Sequence, residues 1–279
     1  MNRSRKPYLL ALALVILLSS TLYRPASVRA QDKSGHLPKL QDSRIFQRNE
    51  TFMYDVDFRW GIIKGKMGEA LLTNRTTRNG QYFSQILFRT KGIGDTFFRV
   101  RDTLETLYSM ERLPLRFEKR INEGGYQYHD LITFTHLPEE KVKIGIKAGP
   151  PSVIERDTTI ILSTKEEEVV DMLSTLAYLR SLNLNNIEHG LLNRFVVPIG
   201  KNLVYGSYEF GGYENSKMPD GTPKEMLKIY FNIEDKSFSQ NSRSIEVWVT
   251  NDEMLLPVRI NAKLSIGRVV CILTSYKGA

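Results

Sequence analysis

Two stretches of this chain fold back on themselves by the same rule, and they limit its architecture more than any other feature. From Phe97 to Ile121 the sequence reads FFRVRDTLETLYSMERLPLRFEKRI, two apolar-rich arms around a polar SMER loop. Such a pattern predicts a β-hairpin. Apolar pairing sets Tyr108 against Leu113, Thr106 against Leu115, Leu104 against Phe117 and Val100 against Ile121, with Glu105 facing Arg116 on the other side. From Ile245 to Ile260, IEVWVTNDEMLLPVRI folds at Asp252–Glu253 in the same way. Val249 then meets Leu256, Val247 meets Val258, Ile245 meets Ile260, and Glu246 meets Arg259. Both returning arms read Leu-Pro-apolar-Arg-apolar, which implies an antiparallel β architecture and names no reaction.

The opening residues follow a different logic. Arg3, Arg5 and Lys6 precede an apolar run from Tyr8 to Leu18, and Val28 and Ala30 place small residues at a cleavage site before Gln31. A basic start, a short apolar centre and a small-x-small exit describe a secretory signal over residues 1–30. The run is shorter than the roughly 20 residues of a membrane span. Removing these residues takes away five cations and no anion, so the formal charge falls from +8 to +3. The basic balance therefore gives no argument for a nucleic-acid partner. The lone Cys271 sits in the apolar run VVCIL and reads as an inert packed thiol.

Residues 31–48 are polar without a clean period and read as a flexible lead-in. From 49 to 279 we expect one β-rich domain, or two packed halves joined near 163–190. Phe52, Tyr54, Val56, Phe58 and Trp60 alternate with Met53, Asp55, Asp57 and Arg59 as in a half-buried strand. Gly61, Gly65 and Gly68 suggest a turn or bulge with close strand approach. One segment differs. In Ser163–Asn183, Thr164 and Glu167 have capping-box spacing, and Val169, Met172, Leu173, Leu176, Ala177 and Arg180 follow a helical period. The expected fold is mainly β: an antiparallel curved sheet, open barrel or β-roll with one amphipathic helix.

Several phrases carry a resemblance. They are GIGDTFFRVRDTLET, LPLRFEKRINEGGY, VVDMLSTLAYLRSL, VWVTNDEMLLPVRINAKLSIG and the closing LTSYKG. In this order, over roughly Thr51 to Gly278, the chain resembles the exported bacterial proteins of domain-of-unknown-function family 3108. The resemblance implies export and one mostly antiparallel β unit. It supplies no catalytic residues.

Chemistry-bearing motifs are sparse. His129 and His136 are seven apart in a strand and point to opposite faces, so they are poor co-ligands for a metal. There is no G-x-S-x-G elbow, no phosphate loop and no cofactor motif. Aromatic residues remain as a functional handle: Tyr126, Tyr128 and Trp248 suit an apolar groove or a stacked ring. Trp248 falls on the Glu246/Arg259 face and needs something to cover it. The leading expectation is a non-enzymatic exported scaffold that binds a lipid-like small molecule or an envelope protein. Met172 and Leu176, on a helix over Val169–Leu179, would line the cavity together with the sheet. An envelope hydrolase acting on glycan or lipid, and a structural assembly module, are the alternatives.

Overall fold

The computed structural model describes residues 39–60, 63–183, 193–199, 202–234, 243–264 and 267–278. The signal expected over residues 1–30 lies outside these. Eight strands come first: β1 (Glu50–Trp60), β2 (Ile63–Thr76), β3 (Tyr82–Thr90), β4 (Arg101–Tyr108), β5 (Pro114–Glu123), β6 (Tyr126–Leu137), β7 (Lys141–Gly149) and β8 (Arg156–Ser163). A five-residue helix, α1 (Ile93–Phe97), separates β3 from β4. Then follow β9 (Glu168–Val169), helix α2 (Ser174–Leu179), β10 (Asn193–Ile199), β11 (Asn202–Lys217) and β12 (Pro223–Ile233). The chain finishes with β13 (Ile245–Thr250), β14 (Pro257–Leu264) and β15 (Gly267–Gly278).

All 15 strands belong to one sheet, in the order β8 to β1, then β15 down to β9. Each half is a meander of neighbouring strands, and the halves meet where β1 pairs antiparallel with β15, from Glu50↔Gly278 to Arg59↔Arg268. Only β9 and β10 are parallel among the described pairs. Strands β8 and β9 are opposite edges of the sheet yet consecutive in the chain, joined through residues 164–167. Five Cα steps reach at most roughly 18 Å, so the edges come close and the sheet curls into a nearly closed barrel.

The alternation read from the sequence fixes the inner wall. Phe52, Tyr54, Val56 and Phe58 of β1 are all buried, as are Leu104 and Phe117 of the first repeated hairpin. Near the predicted glycine cluster the β1–β2 register shifts between Val56 and Asp57. A Cβ on Gly68 would lie 2.4 Å from the Arg89 carbonyl oxygen, so the close approach is real.

Both repeated hairpins form, but in a different register. Glu105 faces Glu118 rather than Arg116, and Glu246 faces Asn261 rather than Arg259. The cause is the same in each. The first turn keeps Met110–Arg112 in its loop, with Ser109 N–H donating to the Leu113 carbonyl and Arg112 at φ +66°. That is a three-residue loop with a left-handed last residue. A bulge then adds one more residue, Leu115 in the first hairpin and Val258 in the second, immediately after Pro114 and Pro257. Proline lacks the N–H a regular ladder needs and is tolerated at bulges. Beyond the bulge the slip totals two residues, so the side chains there keep their expected faces, whereas Pro114 and Pro257, slipped by one, come opposite Tyr108 and Val249. On the outer face Arg120 bridges the facing acids, 2.5 Å from Glu105 and 2.9 Å from Glu118, and Arg116 also pairs with Glu118.

The helix is shorter than its periodicity suggested. Val169 is in β9, opposite Val196, and α2 covers only Ser174–Leu179. The Asp171 carboxylate accepts the N–H groups of Leu173 and Ser174, each at 2.9 Å, and so starts the helix late. The lead-in also differs from expectation. Leu40–Asp42 and Arg44–Phe46 form two 3-10 turns that bury Leu40, Ile45 and Phe46. Turns this short carry no period to read.

Candidate functional site

Taking the start of β1 as the lower end of the barrel, α2 and the two 3-10 turns close that end. Their fastening is polar and buried. Arg180 makes a two-pronged ion pair with Glu50, Nη1–Oε2 2.6 Å and Nη2–Oε1 2.9 Å, and its Nε donates to the Met254 carbonyl at 3.0 Å. Asn74 and Tyr276 also donate to Glu50, each at 3.2 Å. Nearby, Asp171 accepts from Thr106 at 2.8 Å and from Ser174 at 2.6 Å, and Ser174 meets the Tyr108 hydroxyl at 2.9 Å. Each of these buried groups is matched by donors or acceptors, as a closed end requires. Between α2 and the wall, Leu173, Leu176, Ala177 and Arg180 line a cavity of about 10 Å³, the size of a single water. Met172 is partly buried and packs against the apolar core.

The upper end is built differently. Helix α1 is pinned by Asp95, which takes two hydrogen bonds of 2.9 Å from Arg101 and one of 2.5 Å from Thr90. The Arg101 guanidinium, then Thr90, hold the Asp95 carboxyl down at about 2. This anchoring leaves Ile93 and Phe97 turned outward, Phe97 62% exposed. Phe98 packs on Gly124, where a Cβ would lie 2.6 Å from the ring and φ is +55°. The Gly124 N–H donates to the Arg99 carbonyl at 2.8 Å, and Val100 bridges to Glu123. Beyond the turn Tyr126 and Tyr128 stack, 6.1 Å between centroids and 12° between planes. In the next connection, between β7 and β8, Val153 and Ile154 are also exposed, Ile154 by 65%. Three adjacent connections of one end thus carry exposed apolar groups.

Below this rim the inner wall holds charge. Asp102, Lys119, Glu123 and Asp130 are all buried, Lys119 completely. Lys119 and Asp130 are directly opposite across β5 and β6, with Nζ–Oδ2 2.9 Å. The Asn122 N–H donates to Asp102 Oδ1 at 2.9 Å. Among the described residues Asp102 Oδ2 has no hydrogen-bond donor, and the Lys119 ammonium has an ion pair without a well-directed hydrogen bond. Burial first, and then the neighbouring Asp102, push the Glu123 carboxyl up to about 8. Burial also raises Asp102.

Of the residues singled out in the sequence, Tyr126 and Tyr128 come together at this rim. Met172 and Leu176 belong to the lower end, and Trp248 lies on a different face again. Trp248 finds its cover within the chain: Lys228 and Arg259 sit 4.7 and 5.0 Å from its ring centroid, and Nε1 donates to Glu214 at 3.0 Å. The buried charges were missed. Their signal is phase: Asp102 alternates with Leu104, and Lys119 and Glu123 alternate with Phe117 and Ile121, on the inward side. Cys271 is buried with its thiol pushed up to about 12 by desolvation, as expected of an inert residue.

No helix among the described residues is long and apolar enough to cross a membrane. The fold is similar to the crystal structure of a β-barrel-like protein of domain of unknown function DUF1849 from Brucella abortus. The TM-score is 0.56 at 10% identity, over 82% of this chain and 97% of that one. A second solved structure, MucB, aligns with a TM-score of 0.30 at 8% identity, over 85% of this chain and 55% of that one. No curated protein matches in sequence. The family model for proteins of unknown function DUF3108 matches residues 44–274, and the chain belongs to that family.

Proposed function

We propose that this protein is an exported, non-catalytic β-scaffold that engages lipid-like molecules at the upper rim of its barrel. The observation that carries the reading is the set of exposed Ile93, Phe97, Tyr126, Val153 and Ile154 on three neighbouring connections. Apolar groups exposed together at one end of the barrel favour an interaction surface there. Aromatic rings at such a margin suit the boundary between acyl chain and headgroup. The space beside Leu176 has room for one water, which favours the rim over that cavity as the place of the guest. The Asp102–Glu123 acid pair, walled into the barrel, supports binding over hydrolysis. The basic, apolar, small-x-small order of residues 1–30 supports export.

The test is co-sedimentation of the mature chain with vesicles of phosphatidylethanolamine and phosphatidylglycerol. Wild type is expected to bind. The double variant Phe97→Ser/Ile154→Ser should lose roughly tenfold or more in affinity, from about 1.5 kcal/mol or more of lost apolar burial. Absence of vesicle binding, together with no lipid in organic extracts of natively purified protein, would overturn the reading in favour of a protein partner. Sequencing the exported protein should give Gln31 at its start; an intact Met1 would contradict export by cleavage.

A further inference from the structure

We propose that Asp102 and Glu123 share one proton and act as a latch that holds the upper rim in shape. The proposal rests on the rim being the binding surface, and it concerns how that surface is regulated. Asp102 and Glu123 come from neighbouring strands and both face inward. One Asp102 oxygen is already taken by the Asn122 N–H. The other has no donor among the described residues while Glu123 is an anion. A protonated Glu123 supplies the missing donor, and the two side chains are within hydrogen-bonding reach. One proton thus satisfies an orphaned acceptor and removes a second buried negative charge, two effects of the same sign.

The surrounding charges do not offset the burial of two carboxylates. From β5 the cation is Lys119, ion-paired with Asp130 of β6 at 2.9 Å; its charge favours the ionised acids, but burial outweighs it. Tyr128, also on β6, is an acid of higher pKa still, raised by burial. Strand β3 offers Phe88 opposite Asp102, without charge. On the α1 side Asp95 and Arg101 are paired with each other at 2.9 Å. Loss of the shared proton therefore sets two carboxylates side by side in a buried wall. Relief comes by moving Glu123 outward. That motion pulls on its bridge to Val100 and on the Gly124–Arg99 hydrogen bond, the contacts that seat Phe98 and α1 on the turn. Ile93 and Phe97 would then no longer share a surface with Tyr126.

The experiment follows amide hydrogen exchange of the mature full chain from about pH 6 to about pH 9, corrected for intrinsic rates, beside vesicle binding on the same samples. Protection of residues 91–100 and 122–126 should fall as pH passes about 8, while the centre of β1 and β15 holds. Vesicle affinity should fall over the same range. Glu123→Gln, whose amide donates at any pH, should keep both flat, and a protonated-carboxyl infrared band in wild type should vanish in it. Should that variant misfold, Asp102→Asn is expected to shift the midpoint downward by removing the neighbouring anion. Flat exchange in wild type, or a Glu123→Gln protein that titrates like wild type, would overturn the latch. So would exchange that titrates while vesicle binding stays constant. Vesicle binding absent at every pH, with exchange still titrating, would instead remove the rim reading and leave the shared proton standing.

Discussion

The two ends of the barrel bury charge in opposite ways. At the lower end Arg180 and Glu50 are matched in geometry and ringed by Asn74, Tyr276 and the Met254 carbonyl. At the upper end Asp102 Oδ2 is left over, Lys119 is poorly directed, and apolar side chains stand exposed above them. A sealed end can afford fixed charge because every lone pair has a partner. An end that stays adjustable carries groups whose partners depend on a proton.

That contrast can be broken most directly at Arg180. Arg180→Met should cost about 3–5 kcal/mol by stranding Glu50, read as a lower denaturant midpoint with unchanged slope. A double change with Glu50→Leu should recover much of the loss. Asp171→Ala comes next, at about 2 kcal/mol, since it takes away the acceptor of the Leu173 and Ser174 N–H groups and of the buried Thr106 hydroxyl. At the upper end Glu123→Gln should be far milder at neutral pH, within about 1 kcal/mol, because the native group already carries its proton. Burial and the neighbouring Asp102 push the Glu123 carboxyl from its ordinary 4.5 up to about 8 in the folded chain, so its contribution is complete below the lower value and is lost as pH rises through the upper one. Wild-type stability should therefore decline across that window and the Gln variant should not, by thermal melts at several pH values. The smallest effect is expected at Ser152, exposed with φ +66°. Ser152→Gly should gain no more than about 1 kcal/mol.

The sequence made the two ends unequally legible. Alternation along Phe52–Phe58 and the twice-used Leu-Pro-apolar-Arg return were enough to expect antiparallel strands and hairpins. Register was not readable, because the left-handed position of the first turn is occupied by Arg112 rather than glycine, and a bulge leaves no compositional mark. The apolar period from Val169 suggested a long helix. What cut it short was the reach of one carboxylate, Asp171, back onto its own backbone. At the candidate site Tyr126 and Tyr128 were visible as aromatics. Asp102, Lys119 and Glu123 were hidden because a charged residue in phase with apolar ones looks like noise until its neighbours across the strands are known.

The pairing of β1 with β15 sets the order in which such a chain can be completed. Within each meander every strand meets its sequence neighbour, so those contacts form locally and early. The seam between Glu50↔Gly278 and Arg59↔Arg268 joins residues more than 200 apart and cannot form until β15 has been made. During vectorial synthesis β1 therefore waits with a row of unpaired backbone groups along its free edge. Such an edge invites pairing with other chains. The demand this fold makes on its cell is temporal: something must shield β1 for as long as the rest of the polypeptide takes to arrive.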